Sequence, residues 1–260
     1  MNIVVCIKQV PDTTEVRIDP KTNTLIREGV PSIINPDDKA GLEAALRLKE
    51  EYKAHVTVLT MGIPNAEVAL RESLAMGADE AILITDRAFG GADTLATSTT
   101  IAAALKNLDY DLIITGRQAI DGDTAQVGPQ IAEHLELVNI SYAEDIKIDG
   151  NDIIVKRQYE DRYHTLKTKL PCLITALAEL NKPRYMTPGG IFDAYRGKEV
   201  KIWNLKDVKV NQESIGLKGS PTKVVKSFTK GAKSAGKVFA LEPQESAELI
   251  VDKMKEKFII

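Results

Sequence analysis

Two stretches of this chain set glycine beside hydroxyl and carboxylate side chains, a mixture suited to anion binding. One is Gly90-Gly91-Ala92-Asp93-Thr94-Leu95-Ala96-Thr97, the other Asp121-Gly122-Asp123-Thr124-Ala125-Gln126-Val127-Gly128. Each leads into a run with helical patterning, and the free N–H groups and positive dipole end at a helix N-terminus favour phosphate. Asp93, Thr94 and Thr124 also suit ordinary helix caps, so either stretch alone has a plain structural reading. Two of them at one sheet edge make a nucleotide-sized pocket. Other chemistry finds little support. His55, His134 and His164 stand apart from one another and from cysteine, without metal-ligand spacing. Cys6 and Cys172 lie in apolar runs and read as buried, reduced thiols rather than a disulfide or zinc set. The sequence has no Gly-Xaa-Ser-Xaa-Gly elbow, Walker-type loop or Gly-Xaa-Gly-Xaa-Xaa-Gly fingerprint, so it offers neither a side-chain nucleophile nor a standard dinucleotide motif.

The elements that must carry these stretches follow from periodicity. Residues 3–7 are a β-branched run such as a parallel strand covered on both faces requires. Asn35-Pro36-Asp37-Asp38 predicts a helix start, with Asn as N-cap, Pro at the first helical position and acids in the first turn. Leu42, Ala45, Leu46 and Lys49 continue that helix to about residue 52. Strands at 56–60, 81–84 and 112–115 alternate with helices ending near Gly77, running from 93 to about 108, and lying near 130–137. The alternation means βαβ units and a doubly wound, mainly parallel α/β sheet. Three short alternating stretches at 146–148, 153–157 and 165–169 predict an antiparallel extension, and 172–176 a strand returning to the sheet. In open α/β sheets ligands bind at the carboxyl ends of the strands, and the loops at 8–13, 61–65, 85–97 and 116–128 all leave that edge.

Lys218, Lys223, Lys226, Lys230, Lys233 and Lys237 fall in a stretch without acids, which predicts a linker or an arm laid on a partner. Residues 245–258 predict a closing amphipathic helix. The expected organisation is an α/β domain over 1–200 and a C-terminal arm and helix over 201–260. The 260 residues carry 34 Lys and Arg against 37 Asp and Glu, a formal net charge of −3. That balance, with Phe228 the only aromatic among the lysines, argues against a nucleic-acid binder. The apolar run at 3–7 is closed by Lys8 and is too short for a signal peptide. No run approaches the ~20 residues needed to cross a bilayer. The expectation is a cytoplasmic protein without membrane insertion.

Ordered blocks then resemble a known family. Val5-Cys6-Ile7-Lys8-Gln9-Val10-Pro11-Asp12, Asn35-Pro36-Asp37-Asp38, Leu46-Arg47-Leu48-Lys49-Glu50, Leu74-Ala75-Met76-Gly77-Ala78-Asp79, Gly116-Arg117-Gln118-Ala119-Ile120-Asp121-Gly122-Asp123 and Leu180-Asn181-Lys182-Pro183-Arg184-Tyr185 are similar, in this order, to the electron transfer flavoprotein β subunit. The resemblance covers residues 1–200 strongly and the last sixty more loosely. It implies an adenine-nucleotide-hydrolase-like fold and an α-subunit partner carrying a redox FAD. In the ordinary branch of the family the β pocket holds structural AMP. In the electron-bifurcating branch it holds a second FAD that takes a hydride from NADH, one electron going to ferredoxin or flavodoxin and the other through the α-subunit FAD to a flavin dehydrogenase of acyl-CoA or 2-hydroxy-acid type. The two pocket stretches resemble the bifurcating branch, since the AMP-binding branch is typically more crowded in the second, with an acid where Gly122 stands. Glycine there permits close backbone approach to a larger ligand.

Carried over, the resemblance places the adenine end at Cys6, Ile7, Lys8, Asn35, Met61 and Gly116. It places the phosphates around Ile120, Asp121, Gly122, Asp123, Thr124, Ala125, Gln126, Val127 and Gly128. Asp93, Thr94 and Thr97 would serve the extra phosphate and ribityl chain. All of these bind and orient, and no catalytic residue is implied. One departure stands out: after Tyr185 the family commonly reads Ala-Thr-Leu-Pro and then a lysine-rich helix. Here Met186-Thr187-Pro188-Gly189-Gly190 follows, which puts the dehydrogenase-docking leucine in doubt.

Overall fold

Strand β1 (Asn2–Cys6) is buried at all but its first residue. Its side chains alternate between faces, so Ile3 and Val5 enter one hydrophobic cluster while Val4 and Cys6 enter another. That double burial is what a central parallel strand needs, and β1 indeed pairs in parallel with β4 (His55–Met61) and β6 (Leu112–Gly116). The computed structural model describes residues 1–12, 31–223, 225 and 236–260. Much of the lysine-rich stretch lies outside the described residues, as does the run 13–30, where Asp19-Pro20-Lys21-Thr22-Asn23 predicts a turn.

Among the described residues the main sheet has nine strands. Its order is β11 (Val200–Trp203), β5 (Glu80–Ile84), β4, β1, β6, β10 (Cys172–Ala176), β7 (Val138–Asp149), β8 (Asp152–Gln158) and β9 (Tyr163–Lys169). Helices α1 (Pro36–Tyr52) and α2 (Glu67–Met76) cover one face, through Leu42, Leu46, Leu70 and Leu74. Helices α3 (Thr94–Leu105) and α4 (Val127–His134) cover the other, through Ile101, Leu105 and Ile131. The doubly wound, mainly parallel α/β sheet and its antiparallel extension are therefore present.

The change of direction happens inside one strand. The first half of β7 runs parallel to β10 and its second half antiparallel to β8. Both ladders shift register near Ala143, beside Tyr142 with its φ of 60°. The bulge bends the strand, and Thr175 Oγ1 accepts the displaced Tyr142 N–H at 3.0 Å. The returning strand at 172–176 is found, but it is inserted between β6 and β7, with all five residues buried.

Four short elements escape periodicity. Strands β2 (Gln9–Pro11) and β3 (Ser32–Ile34) pair antiparallel beside the rim. Helix α5 (Pro188–Arg196) begins with two glycines, poor helix formers, yet Thr187 caps it by accepting from Gly190 N, and Arg71 holds it through the carbonyls of Ala194 and Lys198. The four residues of β11 extend the sheet edge beside β5. Contacts divide the chain into two compact units, Met1–Val225 and Lys226–Ile260. The first therefore takes in β11 and the segment behind it, which the sequence reading placed in the C-terminal arm. In the second, α6 (Pro243–Glu256) matches the predicted amphipathic helix.

Candidate functional site

The carboxyl ends of β1, β4, β5 and β6 open onto one cleft of about 880 Å³, near the top of the roughly 300–1,000 Å³ usual for ligand pockets. Its floor is built around Asp38, in the first turn of α1. Asp38 Oδ2 accepts Lys8 N–H at 2.7 Å and Oδ1 accepts Gly116 N–H at 2.9 Å, so one carboxylate fastens the ends of β1 and β6 together. Burial pushes the Asp38 carboxyl up to about 7, against the pull of those two N–H donors and of Asn35. A Cβ at Gly116 would lie 2.1 Å from Asp38 Oδ1, which is why glycine stands there.

Asn35 precedes α1 as its N-cap residue, but its side chain caps nothing. It reaches across to the loop after β6, donating to Gln118 O at 2.8 Å and accepting Ile120 N–H at 3.0 Å. The expected capping role is corrected here: the first-turn N–H groups lost their acceptor because a loop 85 positions along the chain claims the same amide. That loop is tightened further. Gly122 and Asp123 donate to Ala119 O, Gln118 holds the Asp123 carboxylate, and Lys8 Nζ pairs with Asp121 Oδ1 at 2.7 Å. Asp123 and Ala125 take positive φ of 51° and 52°.

The loop ends at α4, whose N-cap residue Gln126 makes no side-chain cap bond and whose first turn holds no acid. Its leading N–H groups therefore have no side-chain cap, and Gln126, Val127 and Gly128 line the cleft wall. Gly128 sits hard against the end of β6, since a Cβ there would lie 2.5 Å from Thr115 Oγ1. The loop after β5 ends differently. Asp93 caps α3 by accepting Ala96 N–H at 3.0 Å and also accepts Thr222 N–H at 3.0 Å. Burial raises its carboxyl, but these donors outweigh it and hold it below the ordinary range. The plain capping reading therefore holds for Asp93 but not for Thr94 or Thr124. Thr94 Oγ1 instead donates to Gln126 Oε1 at 2.7 Å, joining the two helix starts.

Of the residues singled out from sequence, Cys6, Ile7, Lys8, Met61, Asp93, Thr94, Thr97, Gly116, Gly122, Thr124, Ala125, Gln126, Val127 and Gly128 line the cleft. Asn35, Ile120, Asp121 and Asp123 do not. Asn35 is fully buried beneath the loop, Ile120 points its side chain to solvent, and the two aspartates are engaged by Lys8 and Gln118. Sequence reasoning passed over Asp38, Arg87, Phe89 and Arg117. Asp38 had been counted only as an acid for the helix dipole. Only Cys6 of the two cysteines lines the cleft; burial, and for Cys6 also the Asp38 charge, pushes its thiol up to about 12, while burial pushes Cys172 up to about 11, so both thiols stay protonated near neutral pH. Among the described residues no group of His, Cys, Asp and Glu could hold a metal ion, and no helix is long and apolar enough to cross a membrane.

A doubly wound sheet with an extended cleft at its carboxyl rim, floored around Asp38 and walled by glycines and an uncapped helix terminus, has the form and place of the ligand sites found in open α/β sheets. Known sequences narrow that class. Residues 22–208 match the model of the electron transfer flavoprotein domain. The chain is 60% identical to the electron transfer flavoprotein subunit beta of Clostridium acetobutylicum over the full length of both. It is 56% identical to the caffeyl-CoA reductase-Etf complex subunit CarD of Acetobacterium woodii, again over all of both chains. Against the acryloyl-CoA reductase electron transfer subunit gamma of Anaerotignum propionicum it is 47% identical, with both chains fully covered. The chain belongs to the electron transfer flavoprotein family, as a β subunit.

Proposed function

We propose that this β subunit is of the electron-bifurcating kind and holds an FAD in the rim cleft. The single observation that carries this reading is the cleft's extent: it continues past the α4 terminus to Met61, Arg87 and Phe89 on the far loops, more room than a mononucleotide requires. The residues present suit such a cofactor. The uncapped N–H groups at Gln126, Val127 and Gly128 offer donors for a pyrophosphate. The open side of Gly122, where a Cβ would meet only Lys8 Nζ at 3.9 Å, leaves the backbone approachable. The backbone of Cys6, Ile7 and Lys8 with Met61 and Gly116 would receive the adenine end, while Thr94 and Thr97 would face the ribityl chain. Asn35, Asp121 and Asp123 act one step back, by fixing the loop that bears these donors.

The chemistry such a cofactor supplies when bound is acceptance of a hydride from NADH and separation of its two electrons, one toward ferredoxin or flavodoxin and the other through the α-subunit FAD to a flavin dehydrogenase. The chain's own residues bind, orient and exclude water, and none is given a proton-transfer role. The names of the relatives from reductase complexes support a dehydrogenase of the acyl-CoA class as partner. The C-terminal arm and helix, residues 201–260 with the basic stretch at 218–237, are assigned to contact with the α subunit, and the cytoplasm is the compartment proposed.

Co-expression with the α subunit, denaturation and chromatography of the released nucleotides tests the reading. Two FAD per heterodimer are expected; one FAD and one AMP would replace it with the structural-AMP alternative. Gly122→Glu sharpens the same point. Among the described residues nothing opposes a side chain there, so thermal stability should hold while FAD content falls by at least about half, and full retention of both flavins would remove Gly122 from the site.

A further inference from the structure

Three cationic side chains line the cleft: Lys8, Arg87 and Arg117. Two of them are already matched, Lys8 to Asp121 at 2.7 Å and Arg117 to Asp37 at 3.3 Å. Arg87, on the short helical turn after β5 and exposed to solvent, makes no side-chain hydrogen bond or ion pair among the described residues. The acid beside it is not free to serve it. Asp86 Oδ1 accepts Ala88 N–H at 3.0 Å and Oδ2 accepts Leu205 N–H at 3.2 Å, and those donors hold its carboxyl below the ordinary range. The other carboxylates of the cleft wall are likewise engaged, Asp38 by Lys8 and Gly116 N–H, Asp93 by Ala96 and Thr222 N–H. Among the described residues Arg87 is thus the one cation lining the cleft without a counter-charge.

We propose that Arg87 is an anion-binding residue of this cleft, holding a phosphate group of a nucleotide through its guanidinium. A planar fork of N–H donors fits phosphate in a two-point geometry that an ammonium cannot reproduce. The position gives the contact a distinct place. β5 stands three strands from β6 in the sheet, roughly 14 Å at the usual strand spacing, so Arg87 enters from the side opposite the α4 terminus. It therefore serves a second phosphate position, not the one at Gln126, Val127 and Gly128. The proposal rests on the reading of the cleft as a dinucleotide site. Two sources share this chemistry: the resident flavin dinucleotide, and the pyridine dinucleotide that brings the hydride.

The test uses the complex with the α subunit and the variants Arg87→Gln and Arg87→Lys. Because the side chain is exposed and makes no bond among the described residues, neither change threatens the fold. Three quantities are read: nucleotide content after denaturation, FAD affinity of the cofactor-depleted complex, and NAD⁺ affinity of the oxidised, flavin-loaded complex, both affinities by calorimetric titration. Arg87→Gln should weaken one affinity by about 10- to 100-fold, the loss expected for one charge-assisted bond, with Arg87→Lys falling in between. Weaker FAD binding assigns the phosphate to the resident cofactor. Weaker NAD⁺ binding with flavin content intact assigns it to the donor. Both affinities unchanged in Arg87→Gln overturns the proposal, while two flavins in that same sample leave the reading of the cleft standing. If the wild-type complex instead releases AMP, the reading of the cleft falls and Arg87 is judged by the same fold-change in AMP affinity.

Discussion

The loops after β5 and β6 are built from similar residues and are held by opposite means. The loop after β6 is tied down by side chains from elsewhere: Asn35, Asp38 and Lys8 reach it from α1 and the end of β1. It ends at a helix whose first turn no side chain caps. The loop after β5 ends at a helix capped by its own Asp93 and is covered by the segment behind β11. There Leu217 N–H meets Gly90 O at 2.9 Å, and Ser220 Oγ accepts Asp93 N–H at 2.8 Å. The difference teaches that a helix N-terminus keeps its first-turn N–H groups free of a side-chain cap when the polar residues before it are engaged in other bonds. At α4 those residues, Asp121 and Asp123, are held by Lys8 and Gln118; at α3 the aspartate turns back on its own helix.

Breaking the anchor of the β6 loop should have the largest effect. Gly116→Ala forces a Cβ against the Asp38 carboxylate and should destabilise the complex by about 3 kcal/mol in urea unfolding, as for an overpacked core site; a loss below about 1 kcal/mol would mean the floor yields. Asn35→Ala removes two bonds at a buried amide and should cost about 2 kcal/mol, with flavin content falling alongside the thermal midpoint. Ser220→Ala orphans the Asp93 N–H and also removes the hydroxyl's bond to Gly216 O on the β5 side, and should cost about 1 kcal/mol without altering nucleotide content. Should Ser220→Ala exceed Asn35→Ala, the asymmetry between the loops would be the reverse of the one drawn. The smallest effect belongs to Lys8. Its pair with Asp121 is half exposed on the lysine side, so a double-mutant cycle should return less than about 1 kcal/mol; a larger coupling would make this ion pair, rather than Asn35, the chief fastening of the loop.

Much of this molecule can be read along the chain. The runs at 3–7, 56–60, 81–84 and 112–115 emerge as parallel strands, and the glycine-rich stretches emerge beside the cleft, because burial on both faces and helix starts leave periodic, local marks. The short α5 and β11 leave too few residues for a period. The bulge at Tyr142 leaves none, since it depends on what β10 and β8 demand of one strand. The cleft residues were gathered largely by resemblance, and the ones missed, Asp38, Arg87 and Arg117, are charged side chains in positions where solvated or dipole-matching charges are common.

By itself the sequence determined the alternation of elements, hence the parallel sheet and the edge at which the cleft opens. Tertiary structure decided which asparagine leaves its cap to clasp a loop, what else holds the capping aspartate, and which arginine lacks a partner among the described residues. The physical reason is separation. A cap or strand answers to neighbours within a few residues, whereas Asp93 and Asn35 have bonding partners 127 and 85 positions away, and only the folded chain brings those groups within reach.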